Sequence, residues 1–464
     1  MSQPNQPTEL HIGIDDTDSK VGGCTTHTAA IIFDELSKRG FRPADFPWLV
    51  RLNPNIPWKT RGNGALALHF LVDESRVDVV RNIVLDIVEE TTDTSDASTD
   101  PAVAFLRGKI PPELRDFSIR ALHDVLRVRD AKRVSRKVGI EEHVLKGPRG
   151  LIGALASIGA QLQTAHTFEI IAYRTQDYIG TWRQIDDGSV REMDAKFRGV
   201  TFNNLDPETG RVLVSPHGPD PVLFGIRGED PVTLAHAYHH VQVGEPVHRV
   251  MIFRTNHGTD AHLAKHRKAA ELRPYQSAVL NGRVETRPRV LRGGHVVFSL
   301  RDETGSVDCA AYEPTGPFRK VVIELAPDDA VSVFGGVRNG PKERPTINLE
   351  KLAVNSLAQV VRYQKPRCAR CDRPCESMGE GQGFRCRKCG LRFPRDSLVP
   401  VVQYRGIKET VYVPPPRANR HLTMPLSRYG WNKDTQRLDN DLSDSQHASY
   451  FESLLRSVRS ASPL

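Results

Sequence analysis

No run of apolar residues in this 464-residue chain approaches the eighteen or so that a membrane span requires. The opening stretch, MSQPNQPTEL, has neither a basic start nor an apolar core, so it carries no export signal and a cytoplasmic protein is expected. No segment recurs at a fixed period. Cysteine is scarce, at seven residues, and four of these fall in two close pairs. That usage argues against a disulfide framework and for metal binding in a reducing compartment. A Walker loop and a kinase-type glycine loop are both missing, so any ATP site belongs to neither of those classes. The absence of a K-x-[DN]-G motif counts against an ATP-dependent nucleic-acid ligase.

What is present fits a globular chain of three or four domains: 39% hydrophobic and 26% charged residues spread over a length too great for one core. The net charge of +8 permits a polyanionic partner without requiring one. ELHIGI (9–14) reads as a strand and TTHTAAIIFDELSKRG (25–40) as a helix, with Gly40 at its C-terminal stop. WLVRL and GALALHFLV read as strands and VDVVRNIVLDIVEE as a second helix, followed by a basic helical region. Residues 168–260 alternate strand-like runs with one good helix, DPVTLAHAYHHV, and read as a second α+β unit. Residues 275–355 hold five short β-rich runs with a helix between the third and fourth, the pattern of an OB-fold, with an SH3-like barrel or half a sandwich still open. Cys368 and Cys371, then Cys386 and Cys389, form two C-x2-C knuckles across a fourteen-residue spacer, the arrangement of a closed structural zinc ribbon. An extended basic stretch, VYVPPPRANRHLTMPLSR, comes after it.

The chemistry concentrates in HIGIDDTDSKVGGCTTH (11–27). Asp15, Asp16 and Asp18 follow a buried strand and precede a helix N-terminus at Thr25 and Thr26. Carboxylates so placed can hold magnesium with ATP phosphates, and the helix N–H groups offer an anion platform. An Asp-rich turn with Thr25 as a helix cap is the plain alternative. A second stretch, RLNPNIPWKTRGNGALAL (51–68), puts Lys59, Arg61, Gly62 and Asn63 just before a strand, where cations and glycine suit phosphate. A solvated hairpin loop is the alternative there.

GIDDTDS, GGCTT, RLNPNIPWKTRGNGA, GLIGALASIGA, IAYR, PVLFGIRGED, MIFRTNHGTDAHL and PPPRANRHLTMPLSR together resemble the TiaS family, archaeal enzymes that make 2-agmatinylcytidine in the anticodon of an isoleucine tRNA. The resemblance spans residue 11 to about 430. It implies a multidomain α+β chain: a kinase-like ATP domain (9–165), a ferredoxin-like domain (166–270), an OB-fold (271–360), a zinc ribbon (361–400) and a basic C-terminal region (401–464). It also implies an ATP-dependent ligase that joins agmatine to C2 of the wobble cytidine of a CAU anticodon, so that AUA is read, by phosphorylating the cytosine oxygen first. ATP, Mg2+ and structural Zn2+ follow as cofactors, and no membrane or obligate protein partner does. Asp15, Asp16 and Asp18 match the magnesium and catalytic carboxylates, and Thr25 matches the autophosphorylated threonine.

Agmatine is a dication, so Arg227, Glu229, Asp230 and Asp260 are candidates for its site, although Glu229 and Asp230 could equally begin a helix and Arg227 could clamp phosphate or RNA. RNA contacts are expected from Arg283, Arg287, Arg385, Arg387, Lys388, Arg417, Arg420 and His421, each of which could also be plain surface charge. The competing class is a non-catalytic OB-fold and zinc-ribbon RNA-binding factor with a nucleotide-sensing head. It leaves the aspartates and the KTRGNG loop unexplained.

Overall fold

The computed structural model describes residues 7–20, 22–59, 62–163, 165–340 and 344–429. The first half is built around one ten-stranded sheet. Its N-terminal part contains β1 (Thr8–Asp15), α1 (Thr25–Lys38), β2 (Arg42–Pro43), β3 (Trp48–Arg51), β4 (Gly64–Val72), α2 (Val77–Thr91) and β5 (Ala102–Arg107). These are followed by α3 (Pro112–His123), α4 (Val128–Val138), the edge strand β6 (Glu141–Val144) and α5 (Gly150–Ile158). The second part contains β7 (Thr167–Arg174), α6 (Asp187–Lys196), β8 (Thr201–Phe202), β9 (Val222–Gly228), α7 (Pro231–Tyr238) and β10 (Val247–Thr255).

Strand order exposes an internal duplication. In the second part it is β10-β7-β9-β8, all antiparallel, which for a β-α-β-β-α-β chain is the ferredoxin-like arrangement. The N-terminal unit repeats the same plan as β5-β1-β4-β3. The two plaits join where β10 pairs parallel with β3, Arg254 opposite Trp48. Alternate residues of β4 serve two separate cores. Leu66, Leu68 and Phe70 pack with α1 and α2, whereas Ala65 and Ala67 pack with α3, α4 and α5. Close contact between α5 and β1 depends on Gly13, because a β-carbon there would lie 2.0 Å from the Ala154 carbonyl oxygen.

Two helices, not one, cover the ferredoxin-like part. The unanticipated α6 buries only Ser189, Val190 and Met193, too few for a clear apolar period, and it is started by Asp186, whose carboxylate accepts from the Ser189 N–H at 2.6 Å. Arg39 and Gly40 end α1 as expected, with Gly40 in the left-handed region at φ 80°.

The OB-fold is as the sequence indicates. Its strands are β11 (Ser277–Val284), the short β12 (Arg289–Val290), β13 (Val296–Asp302), β14 (Gly305–Ala311), β15 (Ala330–Asn339) and β16 (Pro345–Ser356), with α8 (Phe318–Ile323) between β14 and β15. Pairing of β11 with β13 and parallel pairing of β14 with β16 close the barrel. Beyond it, β17 (Val361–Gln364) and β21 (Val399–Val402) form a two-stranded stem. The stem carries the small sheet of β18 (Glu376–Ser377), β19 (Phe384–Arg385) and β20 (Arg392–Phe393). The chain then returns to the barrel, where β22 (Val411–Tyr412) pairs with β16. Among the described residues no helix is long and apolar enough to cross a membrane.

Candidate active site

A cavity of about 780 Å³ opens where the end of β1, the start of α1, the 52–64 loop, the start of α5 and strands β7 and β9 converge. Its lining includes Asp15, Asp16, Asp18, Thr25, Thr26, Lys59, Gly62, Asn63 and Arg227 of the expected residues. Arg61 lies outside the described residues.

Chain reversal after β1 gathers the carboxylates. Asp16 takes a left-handed conformation, φ 60°, and its Oδ2 accepts from the Asp100 N–H at 3.0 Å. The Asp18 carbonyl accepts from Thr99 Oγ1 at 2.9 Å. Burial, reinforced by the charges of Asp16 and Asp18, pushes the Asp15 carboxyl well above its usual value. Burial also drives Asp16 up to about 6, with Asp18 and Asp100 adding to the shift while the Asp100 N–H and Arg149 oppose it. Clustered, desolvated oxygens that disfavour their own charge suit a hard divalent cation, which relieves both penalties.

Thr25 is the first residue of α1, and its Oγ1 lies 3.5 Å from Asp18 Oδ1. Capping is not its role. Cys24 occupies the cap position, with no side-chain capping bond. Thr26 Oγ1 lies 3.0 Å from Cys24 Sγ. Asn63 Nδ2 donates to the Asn53 carbonyl at 2.8 Å and Lys59 Nζ to the carbonyls of Pro54 and Ile56 at 3.0 and 3.1 Å, so both brace the loop on which they sit.

The opposite wall is a buried polar cluster that the motifs did not disclose, apart from Arg227. Arg51 Nε donates to His257 Nε2 at 2.6 Å, and its Nη1 donates to the Gly62 carbonyl at 2.7 Å. Arg227 Nε donates to Glu169 Oε1 at 3.0 Å, and His257 Nδ1 lies 3.0 Å from Glu169 Oε2. Burial, against the pull of Glu169, lowers His257 to about 4. For Glu169, burial alone would raise the carboxyl, but the His257 ring and the Arg227 guanidinium outweigh it and hold it below the usual range. The cluster therefore sets the His257 imidazole between two guanidiniums and a carboxylate. Strand alternation places Glu169 and Arg227 opposite each other in the β7–β9 register, a relation no local motif encodes.

Several expected residues do something else. Asp230 caps α7, accepting from the Thr233 N–H at 2.6 Å. Glu229 is buried and bound by Arg428, whose Nη2 donates to Oε2 at 2.9 Å. Asp260 is paired with Lys351 and accepts from the Met424 N–H at 2.7 Å. None of these three carboxylates lines the cavity: Glu229 and Asp260 are engaged by Arg428 and Lys351, and Asp230 by the start of α7. Arg417 is pinned to Asp206 at 2.7 Å and to Glu208 at 2.6 Å. His421, which keeps an exposed face, stacks on His257, the two rings 5.1 Å apart and at 19°. Arg417 is thus engaged by carboxylates of the protein itself, and with Arg420 and His421 it lines the cavity rather than the outer surface of the OB-fold or ribbon. Arg283, Arg287, Arg385, Arg387 and Lys388 are exposed on the OB-fold and ribbon, away from it.

The sulfurs of Cys368, Cys371, Cys386 and Cys389 all lie within 4.8 Å of one another. Zinc with Zn–S bonds of about 2.3 Å fits that spacing. Cys386 has its thiol lowered to about 7, first by the Cys389 N–H and then, against the effect of burial, by the Lys388 N–H. Both knuckles turn through a left-handed residue, Asp372 in one and Gly390 in the other. Cys375 is buried beside Phe384 and stands outside the four.

Comparison with known proteins bears on all of these regions. Family profiles described as the TiaS TCKD domain, the TiaS FLD domain and the TiaS C-terminal zinc ribbon domain match residues 11–147, 148–262 and 365–407. An OB-fold nucleic acid binding domain profile matches 278–354. The isoleucine-tRNA 2-agmatinylcytidine synthetase TiaS of Pyrococcus horikoshii is 42% identical over 417 residues, covering 90% of this chain and 96% of that protein. A crystal structure of TiaS in complex with an isoleucine tRNA and ATP is 40% identical, with a TM-score of 0.82, covering 91% of this chain and 97% of that one. A crystal structure of TiaS with an isoleucine tRNA, AMPCPP and agmatine is 38% identical with a TM-score of 0.79, at the same coverage.

Proposed function

This chain belongs to the TiaS family of isoleucine-tRNA 2-agmatinylcytidine synthetases, and from that membership we propose that it is the ATP-dependent ligase joining agmatine to C2 of the wobble cytidine of an isoleucine tRNA with a CAU anticodon, so that AUA codons are read. The observation that carries this reading is the cavity itself. Three crowded aspartates and the Thr25 hydroxyl face a wall of arginines across a space large enough for a nucleotide, a flipped base and a slender diamine.

An amine cannot expel the carbonyl oxygen of cytosine unprepared. Transfer of the ATP γ-phosphoryl group to that oxygen makes it a leaving group. Attack by the free amine of agmatine at C2 then forms the C–N bond, releases inorganic phosphate and sheds one proton from nitrogen. Asp15, Asp16 and Asp18 would hold magnesium, which when bound neutralises the carboxylates and supports the ATP phosphates. Thr25, beside Asp18, would accept a phosphoryl group from a second ATP, in an event separate from activation of the cytidine. Arg51 and Arg227 supply positive charge for phosphate oxygens. Asp220 and Glu169 are the carboxylates of the ferredoxin-like part that line the cavity, but each already has a guanidinium partner, Arg183 and Arg227, so neither is assigned to agmatine. The exposed basic residues of the OB-fold and ribbon grip the tRNA while the cytidine leaves its stack. The reaction belongs to the cytoplasm, where tRNA and ATP meet.

A purely RNA-binding factor would have no use for carboxylates that burial and mutual repulsion render unfavourable. The test is direct: incubate the protein with ATP, magnesium, labelled agmatine and an unmodified isoleucine tRNA transcript. Label incorporated into the wobble nucleotide is expected only when ATP is present. Incorporation that ignores ATP, or none at all, refutes the assignment.

A further inference from the structure

Beyond the zinc ribbon the chain returns to the ferredoxin-like part and is fastened there repeatedly. Arg417 holds Asp206 and Glu208, the Gly258 N–H donates to the His421 carbonyl at 2.9 Å, and the Asp260 N–H donates to the Leu422 carbonyl at 2.8 Å. Arg428 grips Glu229 with two guanidinium nitrogens. Burying such pairs costs desolvation that their attraction barely offsets, so they are better understood as fixing geometry than as adding stability. What they fix is one ring. His421 stacks on His257 and lies directly over the turn at Gly62, where a β-carbon would come 2.9 Å from His421 Nε2. Gly62 and His257 are also the two groups that orient Arg51.

We infer that the segment following the zinc ribbon is a working wall of the catalytic cavity, with His421 as the positioning residue that holds the Gly62 turn and the His257 ring so that Arg51 is presented to the substrates. This rests on the cavity being the site of agmatidine synthesis. His421 contacts neither end of the Arg51 hydrogen bonds as a donor; it acts by filling the space against which both acceptors are held. A flat ring is what the position requires, and its loss lets both acceptors relax. Because misplacement of about 1 Å can cost roughly a hundredfold in rate, the effect should appear in turnover.

The experiment uses the full-length, zinc-loaded chain carrying His421→Ala, His421→Phe, Arg428→Gln, or Arg428→Gln combined with His421→Ala. Three quantities are read: kcat for agmatine transfer, KM for ATP and agmatine, and Kd for the tRNA. His421→Ala is expected to lower kcat about tenfold or more, with tRNA affinity within about twofold of wild type. His421→Phe, which keeps a flat ring, is expected to recover most of the loss. Arg428→Gln, outside the cavity, should slow transfer by loosening the segment. Adding it to His421→Ala should cost little more, because both act on one element. Wild-type turnover in His421→Ala, a loss explained wholly by weaker tRNA binding, or a phenylalanine no better than alanine overturns the inference. Should His421→Ala not fold, the phenylalanine and Arg428→Gln variants decide it by the same readouts, unchanged turnover in Arg428→Gln counting against it. Failure of the wild-type chain to transfer agmatine at all would instead overturn the reading of the site on which the inference rests.

Discussion

Gly153 faces the carboxylate of Asp15 so closely that a β-carbon at position 153 would lie 1.9 Å from Asp15 Oδ2. The first turns of α5 thus make room for the Asp15 carboxylate, and no side chain fits between them. Gly153→Ala is expected to force either the carboxylate or the helix to move. Agmatine transfer should then fall by about a hundredfold, the scale of a 1 Å displacement at a reacting centre. Affinity for tRNA, held by exposed residues elsewhere, should change little. A Gly153→Ala enzyme with normal turnover would show that the Asp15 position is not critical.

That relationship also marks where the sequence stops being informative. GIDDTD announces carboxylates after a strand, and the cysteine spacing announces a ribbon, because in both the partners are neighbours in the chain. GLIGALASIGA shows only glycine in an apolar helix; its partner Asp15 is remote in sequence and reaches it through sheet pairing. The Glu169, Arg227 and His257 cluster is invisible for the same reason, being assembled from β7, β9 and the turn after β10. The matching strand orders of the two plaits are equally hidden, since order is set by long-range pairing and not by local pattern. Glu229, Asp260 and Arg417 were legible as charge, but a local pattern does not reveal partners as remote in sequence as Arg428, Lys351 and Asp206.

Charge crowding in the aspartate cluster has a measurable consequence for stability. Asp15 and Asp16 titrate above the ordinary value of 3.8, Asp16 near 6, so the folded chain binds more protons than the unfolded chain in that interval. The contribution is fully present below the unfolded value and is lost as pH rises through the folded one. Without magnesium, an Asp15→Asn, Asp16→Asn variant should therefore gain in Tm relative to wild type between pH 5 and about 7.5, and magnesium should narrow the gap. The variant should transfer no agmatine, as should Asp15→Ala and Asp16→Ala alone. Parallel pH profiles for the two proteins would remove the carboxylates as a source of strain.

Thr25 offers a cleaner separation of structure from chemistry than a capping residue would. No capping bond passes through it, but its Oγ1 accepts from the buried Thr17 N–H at 3.4 Å, so Thr25→Ala should cost about 1 kcal/mol and Thr25→Ser, which keeps the oxygen, less. Its hydroxyl lies beside Asp18, so labelling of the protein from γ-phosphate-labelled ATP should disappear in Thr25→Ala and persist in part in Thr25→Ser. Thermal melts and labelling on the same samples check both halves. Full labelling of a stable Thr25→Ala protein would assign the phosphoryl acceptor elsewhere.

The ribbon tests the division between holding RNA and doing chemistry. Four thiolates complete a tetrahedron and leave zinc no open position for water or substrate. Replacing Cys386 and Cys389 with serine should release zinc and unfold β18, β19 and β20 locally, because metal binding supplies the folding energy of so small a sheet. The ATP-binding end of the cavity belongs to the N-terminal plait, which has its own cores, so nucleotide binding should survive. Transfer to tRNA should nonetheless fall steeply. A flipped cytidine costs a few kcal/mol in lost stacking, which the phosphate contacts proposed for Arg385, Arg387 and Lys388 would help to offset. Those contacts make wild-type affinity fall as salt rises, and the serine variant should show a shallower salt slope. Measuring tRNA Kd and agmatine transfer for both proteins at two salt concentrations separates the contributions. A variant that loses zinc yet binds and modifies tRNA like wild type would reduce the ribbon to a passive appendage, and the grip on the anticodon arm would then have to come from the OB-fold alone.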